Sequence, residues 1–372
     1  MQILVTGAGG FIGENLCYQL NNFSDLKTSK FLKNDKITEL NKKINNADLI
    51  IHLAGVNRPI KKSQFDKVNY GLTDKLCNLV SKYNKKIPII FSSSIQAVEK
   101  NEYGKSKLKC EKRLIKLNKL NQNPIYIFRL PNVFGKWGKP NYNSVVTTFC
   151  FNVANGFPIE ITDKEKVIKL SYIDDVIESF VKIISKRSHS NKVIRPIISP
   201  IYKITLGSLA KKILNYNNNR FGQIIDNVAV GFNRKLYSTF ISYINPNNFS
   251  YQLNKNEDKR GIFVEVFKNK KFGQISFFTS KKGALRGNHY HNTKSEKFIV
   301  LSGRAQFLFK NIINNKKYQI NVSESDPIII NTVPGWAHSI KNTGKKELVV
   351  MVWANEVFNS DKPDTILIKN NK

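Results

Sequence analysis

A short apolar run, Gln2–Thr6, is followed at once by Gly7-Ala8-Gly9-Gly10-Phe11-Ile12-Gly13 and then by an amphipathic segment, Glu14–Leu20. Few backbones accept that order: a strand must turn sharply, and a helix must pack closely against it. Gly7 suits the tight turn, Gly10 leaves room for a pyrophosphate near the backbone, and Gly13 lets helix and strand approach. The helix N-terminus then faces the phosphates with its unpaired N–H groups. A glycine-rich turn alone is weak, but one placed between a strand and a helix points to a dinucleotide site. Gly7, Gly10, Phe11, Ile12 and Gly13 are its candidate cofactor-binding residues. The expected class is α/β, opening with a parallel sheet.

The next strand is expected over Leu26–Leu32. Its end shows no Asp or Glu to hold ribose hydroxyls, whereas Lys30 and Lys33 offer a cation for the extra phosphate of NADP. Lys33 is the candidate, and NADPH the expected cofactor. One helix fits near Ile37–Asn45, after which Ala47–Gly55 (ADLIIHLAG) reads as a buried strand ending in a turn. A further apolar strand, residues 87–91, ends in Ser92-Ser93-Ser94. Nine residues on stands Tyr103-Gly104-Lys105-Ser106-Lys107, which puts Tyr103 and Lys107 on one face of a helix. Bringing a phenol from a pKa near 10 to neutrality needs about 4 kcal/mol. An exposed ion pair supplies only about 0–1 kcal/mol, so such a site must be desolvated.

The Gly-x2-Gly-x2-Gly turn, the serine run and Tyr-x3-Lys resemble the extended short-chain dehydrogenase/reductase family, a Rossmann-type NAD(P)-binding fold. The resemblance implies catalytic roles for Ser94, Tyr103 and Lys107. It also lays Leu53, Ala54 and Gly55 along the cofactor and brings Asn132, in Arg129-Leu130-Pro131-Asn132-Val133-Phe134-Gly135, near a substrate diphosphate. The gap from Ser94 to Tyr103 is shorter than is usual in that family. Val68-Asn69-Tyr70-Gly71-Leu72-Thr73 resembles its Asn-containing segment, where Asn69 reads equally well as a residue bonding nearby backbone.

From about Lys203 to Tyr243 the pattern is helical. The Asn/Pro-rich Asn245-Pro246-Asn247-Asn248 then marks the expected linker between a first domain, residues 1–244, and a second, residues 250–372. Beyond it the chain is rich in strand patterns. Gly283–Gly303 reads Gly-x5-His-x-His-x4-Glu-x6-Gly, and residues two apart on a strand share a face, so His289 and His291 can aim at one point. Glu296 can return a carboxylate to it, and His338 supplies a third imidazole. Of five histidines in the chain, three converge here. Such a set suits a divalent metal, with zinc the default and iron, manganese or nickel open.

This pattern resembles the cupin signature, although the glycine expected to open its second half is replaced by Ser325-Asp326-Pro327. The implied fold is an all-β jelly roll. Asp258–Glu265 and Leu285–Tyr290 further resemble the dTDP-4-keto-6-deoxysugar epimerases, which places Arg286 at the substrate. In those enzymes the counterpart of His289 is the base; here the metal pattern claims it too, so the base stays open.

The chain has 372 residues, enough for two domains, and a formal charge of +33. Its lysines are spread through the chain among Asn-rich runs such as Asn217-Asn218-Asn219, which reads as solvated surface rather than a nucleic-acid interface. A positive field would still draw anionic small molecules. No apolar run reaches membrane-spanning length. Cys17, Cys77, Cys110 and Cys150 are scattered without a CxxC pair and read as reduced thiols, so the expected setting is cytoplasmic.

Taken whole, with HLAGVNRP, SSSIQA, YGKSK, RLPNVFGKW, KPNYNSV and DKRG matching along it, the chain resembles the bifunctional capsular-polysaccharide epimerase–reductases of UDP-N-acetyl-L-fucosamine synthesis (CapF/WbjC type). The resemblance implies a homodimer acting on a UDP-2-acetamido-2,6-dideoxy-4-hexulose. The cupin would invert C3, and the reductase would then reduce the C4 ketone with NADPH to the L-talose sugar. The rival readings are a single-activity reductase whose cupin serves ligand sensing or dimerisation, and a non-catalytic nucleotide-sugar-binding regulator.

Overall fold

The structure is a computed structural model that describes residues 1–57, 63–186 and 188–368. Arg58 and Pro59, the end of the HLAGVNRP turn, lie outside the described residues. The chain forms two compact units: Met1–Leu214 with Ala229–Asn245, and Asn215–Val228 with Pro246–Lys372.

The first unit is built on a six-stranded parallel sheet. Its strands are β1 (Gln2–Thr6), β2 (Lys27–Phe31), β3 (Leu49–His52), β4 (Ile89–Ser94) and β5 (Ile125–Leu130). After β6 (Asn132–Phe134) and β7 (Val167–Tyr172), β8 (Val193–Ile194) completes it in the order β2-β1-β3-β4-β5-β8. β6 and β7 form a small separate sheet with β9 (Tyr202–Thr205). No additional strand stands between β2 and β3, as the single helix expected there required.

The inner strands of a parallel sheet are buried on both faces and so are largely apolar, whereas edge strand β2 (KTSKF) is not, and the pleat sorts their side chains. Ile3, Val5, Leu49, Ile51, Ile90, Tyr126 and Phe128 pack into one core with α1 (Phe11–Leu20) and Ile173–Ile184. Leu4, Ile50, Ile89, Phe91, Ile125 and Ile127 pack into the other. That second layer is closed by α2 (Ile37–Asn45), α3 (Gly71–Lys82) and α4 (Glu102–Asn121). Each such side chain, fully buried, contributes about 1.5–3 kcal/mol before entropy is set against it. The helical stretch expected over 203–243 is interrupted: helices cover Leu206–Phe221 and Gly231–Ile241, and between them Ile224 bridges Lys268.

The second unit is a sandwich of two antiparallel sheets. It begins with β10 (Lys255–Asp258), β11 (Gly261–Asn269), β12 (Gly273–Ser280), β13 (Leu285–Tyr290), β14 (Glu296–Ser302) and β15 (Arg304–Asn311). It ends with β16 (Lys317–Ser323), β17 (Ile330–Asn331), β18 (Trp336–Asn342), β19 (Leu348–Ala354) and β20 (Ile366–Leu367). The sheet orders are β10-β11-β12-β19-β14-β17 and β16-β15-β18-β13-β20. Between them lies a core containing Phe278, Phe298, Val300, Phe307, Ile340 and Val350. The α/β unit followed by an all-antiparallel β unit is the architecture expected from the sequence.

Candidate active sites, one in each unit

In the first unit, β4 delivers its serine run at the C-terminal edge of the sheet. Ser94 then caps a single tight turn, accepting from the Gln96 N–H at 3.1 Å. Asn101 caps α4 by accepting from the Gly104 N–H at 2.7 Å, which puts Tyr103 in the first turn of that helix. The two caps lie so close that a Cβ on Gly104 would stand 2.0 Å from the Gln96 carbonyl oxygen. This is how the short Ser94–Tyr103 gap is closed: one turn replaces a longer excursion and brings the Ser94 hydroxyl close enough to the Tyr103 phenol to act on its pKa.

Lys107, one helical turn on, is buried and donates to the Ser92 carbonyl at 2.8 Å. Its ammonium lies 5.0 Å from the centre of the Phe91 ring and 6.0 Å from that of Tyr103. Burial lowers the Lys107 pKa, and burial raises that of Tyr103 against the opposing influence of the Ser94 hydroxyl. The phenol is therefore protonated at neutral pH, which suits a proton donor to a ketone oxygen. The desolvation anticipated from the sequence is present, but in the protein alone it moves the phenol away from neutrality rather than toward it.

The glycine turn sits opposite. Gly13 packs so tightly that a Cβ there would come within 2.2 Å of the Gly7 carbonyl oxygen. No side chain caps α1, so its first N–H groups are left for an anion, while Phe11 and Ile12 anchor the helix on the core. Leu53, Ala54 and Gly55 leave β3 beside this turn, and a Cβ on Gly55 would lie 3.5 Å from the Lys107 ammonium. These residues fit a dinucleotide lying from the glycine turn to Tyr103. Lys33 is exposed just past β2. Asn132 is also exposed and donates to the Lys169 carbonyl at 3.3 Å.

Several polar residues here escaped the sequence reading. Asp35 folds back on the end of β2, accepting from the Leu32 N–H at 3.0 Å and pairing with Lys43 at 3.1 Å. Backbone and Lys43 hydrogen bonds hold its carboxyl below the usual range. Glu111, buried one turn after Lys107, accepts from Ser93 Oγ at 2.5 Å and from Arg129 at 2.9 and 2.7 Å. Asn69, which the sequence did offer as a residue bonding nearby backbone, accepts from the Val56 N–H at 2.7 Å and donates to Ser106 Oγ at 3.0 Å, so it braces the turn after β3 against α4.

His52 is wholly buried, with Nδ1 at 2.7 Å from Thr6 Oγ1 and Nε2 at 3.0 Å from Thr73 Oγ1. Thr73 spends its hydrogen on the Asn69 carbonyl, so it accepts from Nε2–H, and Nδ1 accepts from Thr6. Burial, then the Lys107 charge, pushes the His52 pKa down to about 3. A His inside the apolar run ADLIIHLAG was the available signal: such a residue must find polar partners.

In the second unit the four candidate ligands meet between the sheets. One ligand atom from each of His289, His291, Glu296 and His338 lies within 4.8 Å of all the others. His289 is directly paired with His338 across β13 and β18, and paired residues share a face. A bulge between Gly287 and His289, with Asn288 at φ 65°, shifts the register, so Arg286 pairs with inward-facing Ile340. Under strict alternation, with no bulge, Arg286 would stand three positions from His289 and face the opposite side. Arg286 donates to the Thr279 carbonyl at 3.0 Å and covers the Phe278 ring at 5.3 Å. Asn342, by contrast, is structural, donating to the Ser280 and Lys346 carbonyls at 2.7 and 2.9 Å.

The electrostatics ask for a cation. His291 Nδ1 contacts the Asp364 carbonyl, which can only accept, so a proton sits there, and Nε2 faces Glu296 Oε2 at 3.2 Å. With Nε2 unprotonated, that contact sets two lone pairs face to face, which a bound cation would bridge. Both nitrogens of His338 are buried without a hydrogen bond, Nε2 being 3.4 Å from Glu296. Burial, then His338 and His291, pushes the His289 pKa down to about 4, which keeps its ring neutral. Burial alone would raise the Glu296 carboxyl, but the His291 and His338 rings and the Lys294 ammonium beside it hold it well below the usual range. Three imidazoles and a carboxylate, each offering a ligand atom to one point, fit a divalent metal.

Comparison with known proteins follows the same two-part division. Residues 3–195 match the NAD dependent epimerase/dehydratase family, and residues 256–366 match the polysaccharide biosynthesis C-terminal domain. A UDP-2-acetamido-2,6-beta-L-arabino-hexul-4-ose reductase of Pseudomonas aeruginosa is 44% identical over 98% of this chain and 98% of its own. The crystal structure of the capsular polysaccharide assembling protein CapF from Staphylococcus aureus covers 99% of this chain and 100% of its own, at 36% identity and TM-score 0.91. A second CapF structure, with the inhibitor 3-isopropenyl-tropolone, covers the same shares at 33% identity and TM-score 0.87. The four cysteines are buried and unpaired, and among the described residues no helix is long and apolar enough to cross a membrane. The chain is an NAD(P)-binding enzyme belonging to the two-domain capsular-polysaccharide epimerase–reductase family, an extended short-chain reductase domain followed by a cupin-like β domain.

Proposed function

We propose that the chain acts on a UDP-2-acetamido-2,6-dideoxy-4-hexulose, inverting C3 in the second unit and reducing the C4 ketone in the first. The product is then UDP-2-acetamido-2,6-dideoxy-L-talose. The observation that carries this reading is the pair of separate constellations, Ser94/Tyr103/Lys107 in one unit and His289/His291/Glu296/His338 in the other. The relatives' substrates and assembly role support it.

Chemistry fixes the order. A 4-ketone acidifies the C3 hydrogen, and once reduced it no longer does, so inversion precedes reduction. In the reductase, Ser94 orients the ketone oxygen, Tyr103 donates its proton there, and buried Lys107 stabilises the phenolate that remains. The nicotinamide, when bound, supplies hydride to C4. We take NADPH as the cofactor: Lys33 is exposed at the end of β2, and Asp35 is already engaged by Leu32 and Lys43. Asn132 is assigned to the diphosphate and Arg286 to the sugar nucleotide in the β unit.

His289, His291, Glu296 and His338 would hold the metal, for which zinc is our assignment, and it would supply Lewis-acid polarisation of the C4 oxygen. A tropolone inhibitor on a relative supports a metal, because tropolones bind cations through two adjacent oxygens. Buried thiols fit a reducing cytoplasm, and the family resemblance carries a homodimer. The test is Tyr103→Phe, which keeps the ring and removes the proton. Reduction should stop while C3 inversion continues and inverted ketone accumulates. Loss of both activities in a folded Tyr103→Phe protein overturns the two-site reading.

A further inference from the structure

The segment carrying His289 and His291 is fastened by a strand from far along the chain. β20 pairs antiparallel with its end, Leu367 opposite His289 and Ile366 opposite Tyr290, and the Ile368 N–H donates to the Asn288 carbonyl at 3.1 Å. Just before β20, the Asp364 carboxylate accepts four hydrogen bonds from the turn that follows His291. They come from the N–H groups of Asn292 at 2.9 Å, Thr293 at 2.7 Å and Lys294 at 2.8 Å, and from the Thr293 hydroxyl at 2.9 Å. The same residue's backbone carbonyl meets His291 Nδ1. Lys294 then reaches Thr365 at 3.3 Å on one side and Glu296 at 3.4 Å on the other.

We propose that Asp364 is a positioning residue for the metal centre, its carboxylate locking the 292–294 turn so that its own carbonyl fixes the His291 tautomer. The inference rests on the metal reading above and extends it to a residue 73 positions away in sequence. A carbonyl has no proton to give, so it can hold His291 only through Nδ1–H, which leaves Nε2 as the ligating nitrogen. The carboxylate supplies the leverage. Three converging N–H donors fix both its position and that of the carbonyl on the same residue. Without them, the strap is tied to the site by β20, the Ile368–Asn288 bond and the Lys294–Thr365 contact.

The experiment compares wild type, Asp364→Ala, Asp364→Asn and Asp361→Ala as full-length chains. Zinc affinity is measured by competition with a chromophoric chelator. Ring-nitrogen NMR of metal-free protein labelled at histidine reports the tautomer, five histidines keeping the spectrum simple. Removing such an outer partner costs about 10–100-fold in metal affinity. Asp364→Ala should fall in that range and lose the defined Nδ1–H form of His291. Asp361→Ala, an exposed carboxylate on the same segment, should match wild type. Asp364→Asn keeps the side-chain shape but only one accepting oxygen, so it should be weakened even where the alanine variant fails to fold. Wild-type affinity together with an unchanged His291 signal in a folded Asp364 variant overturns the proposal. Failure of the wild-type protein itself to bind zinc would instead remove the metal reading, and the tautomer change would then test the strap by itself.

Discussion

His52 gives the first unit a measurable acid sensitivity. In the folded state its pKa is about 3, against an ordinary value of 6.5. The folded state thus binds this proton less readily than the unfolded chain does. Its contribution is fully present above pH 6.5 and is lost as pH falls through the window down to about 3. The slope is about 1.4 kcal/mol per pH unit, so the loss from pH 6.5 to 4.5 approaches ~3 kcal/mol from this one ring. His52→Gln cannot titrate and keeps one donor for Thr73, while Thr6 loses its partner at 2.7 Å. At pH 7.5 the variant should be about 1–3 kcal/mol less stable, the cost of an unsatisfied buried hydroxyl. Its stability should then fall less steeply on acidification, and the two curves should converge. Urea-dependent hydrogen exchange of peptides from β3 and β4, between pH 4.5 and 7.5, reads the first unit alone. Parallel curves across that range would show that His52 does not carry the neutral-ring network described here.

Other expectations follow from the two sites. Lys33→Glu should weaken NADPH binding by tenfold or more and NADH binding much less; nucleotide titrations check this, and equal use of both cofactors by the wild type would defeat the assignment. His291→Ala should abolish stoichiometric metal and C3 exchange while leaving NADPH binding intact, as elemental analysis and cofactor titration would report. Full metal occupancy in that variant would remove His291 from the ligand set.

Much of this was readable because the signals are local. The glycine turn, Tyr103 and Lys107 on one helix face, and His289-x-His291 all depend on spacings of a few residues, which strand and helix periodicity converts directly into geometry. What escaped depends on contacts between distant segments. Thr6, His52 and Thr73 come from three different elements, and Glu111 meets Arg129 across 18 residues. Asp35 lies beyond the end of the strand in sequence, and only the loop turns it back to Leu32. Arg286 faces His338 and Ile340 only through the bulge at Asn288, which strict alternation cannot foresee. The Asp364 strap carries no motif at all.

The most direct test of two sequential sites follows the substrate's C3 hydrogen. The UDP-2-acetamido-2,6-dideoxy-4-hexulose is incubated with wild-type enzyme in D2O and observed by NMR, first without NADPH and then after its addition. Deuterium should replace hydrogen at C3 and inverted ketone should appear before any reductant is present. Adding NADPH should then consume that ketone and yield a reduced sugar carrying the C3 deuterium. A C3 hydrogen that stays unexchanged without NADPH, followed by reduction to a product of uninverted C3, would contradict the account.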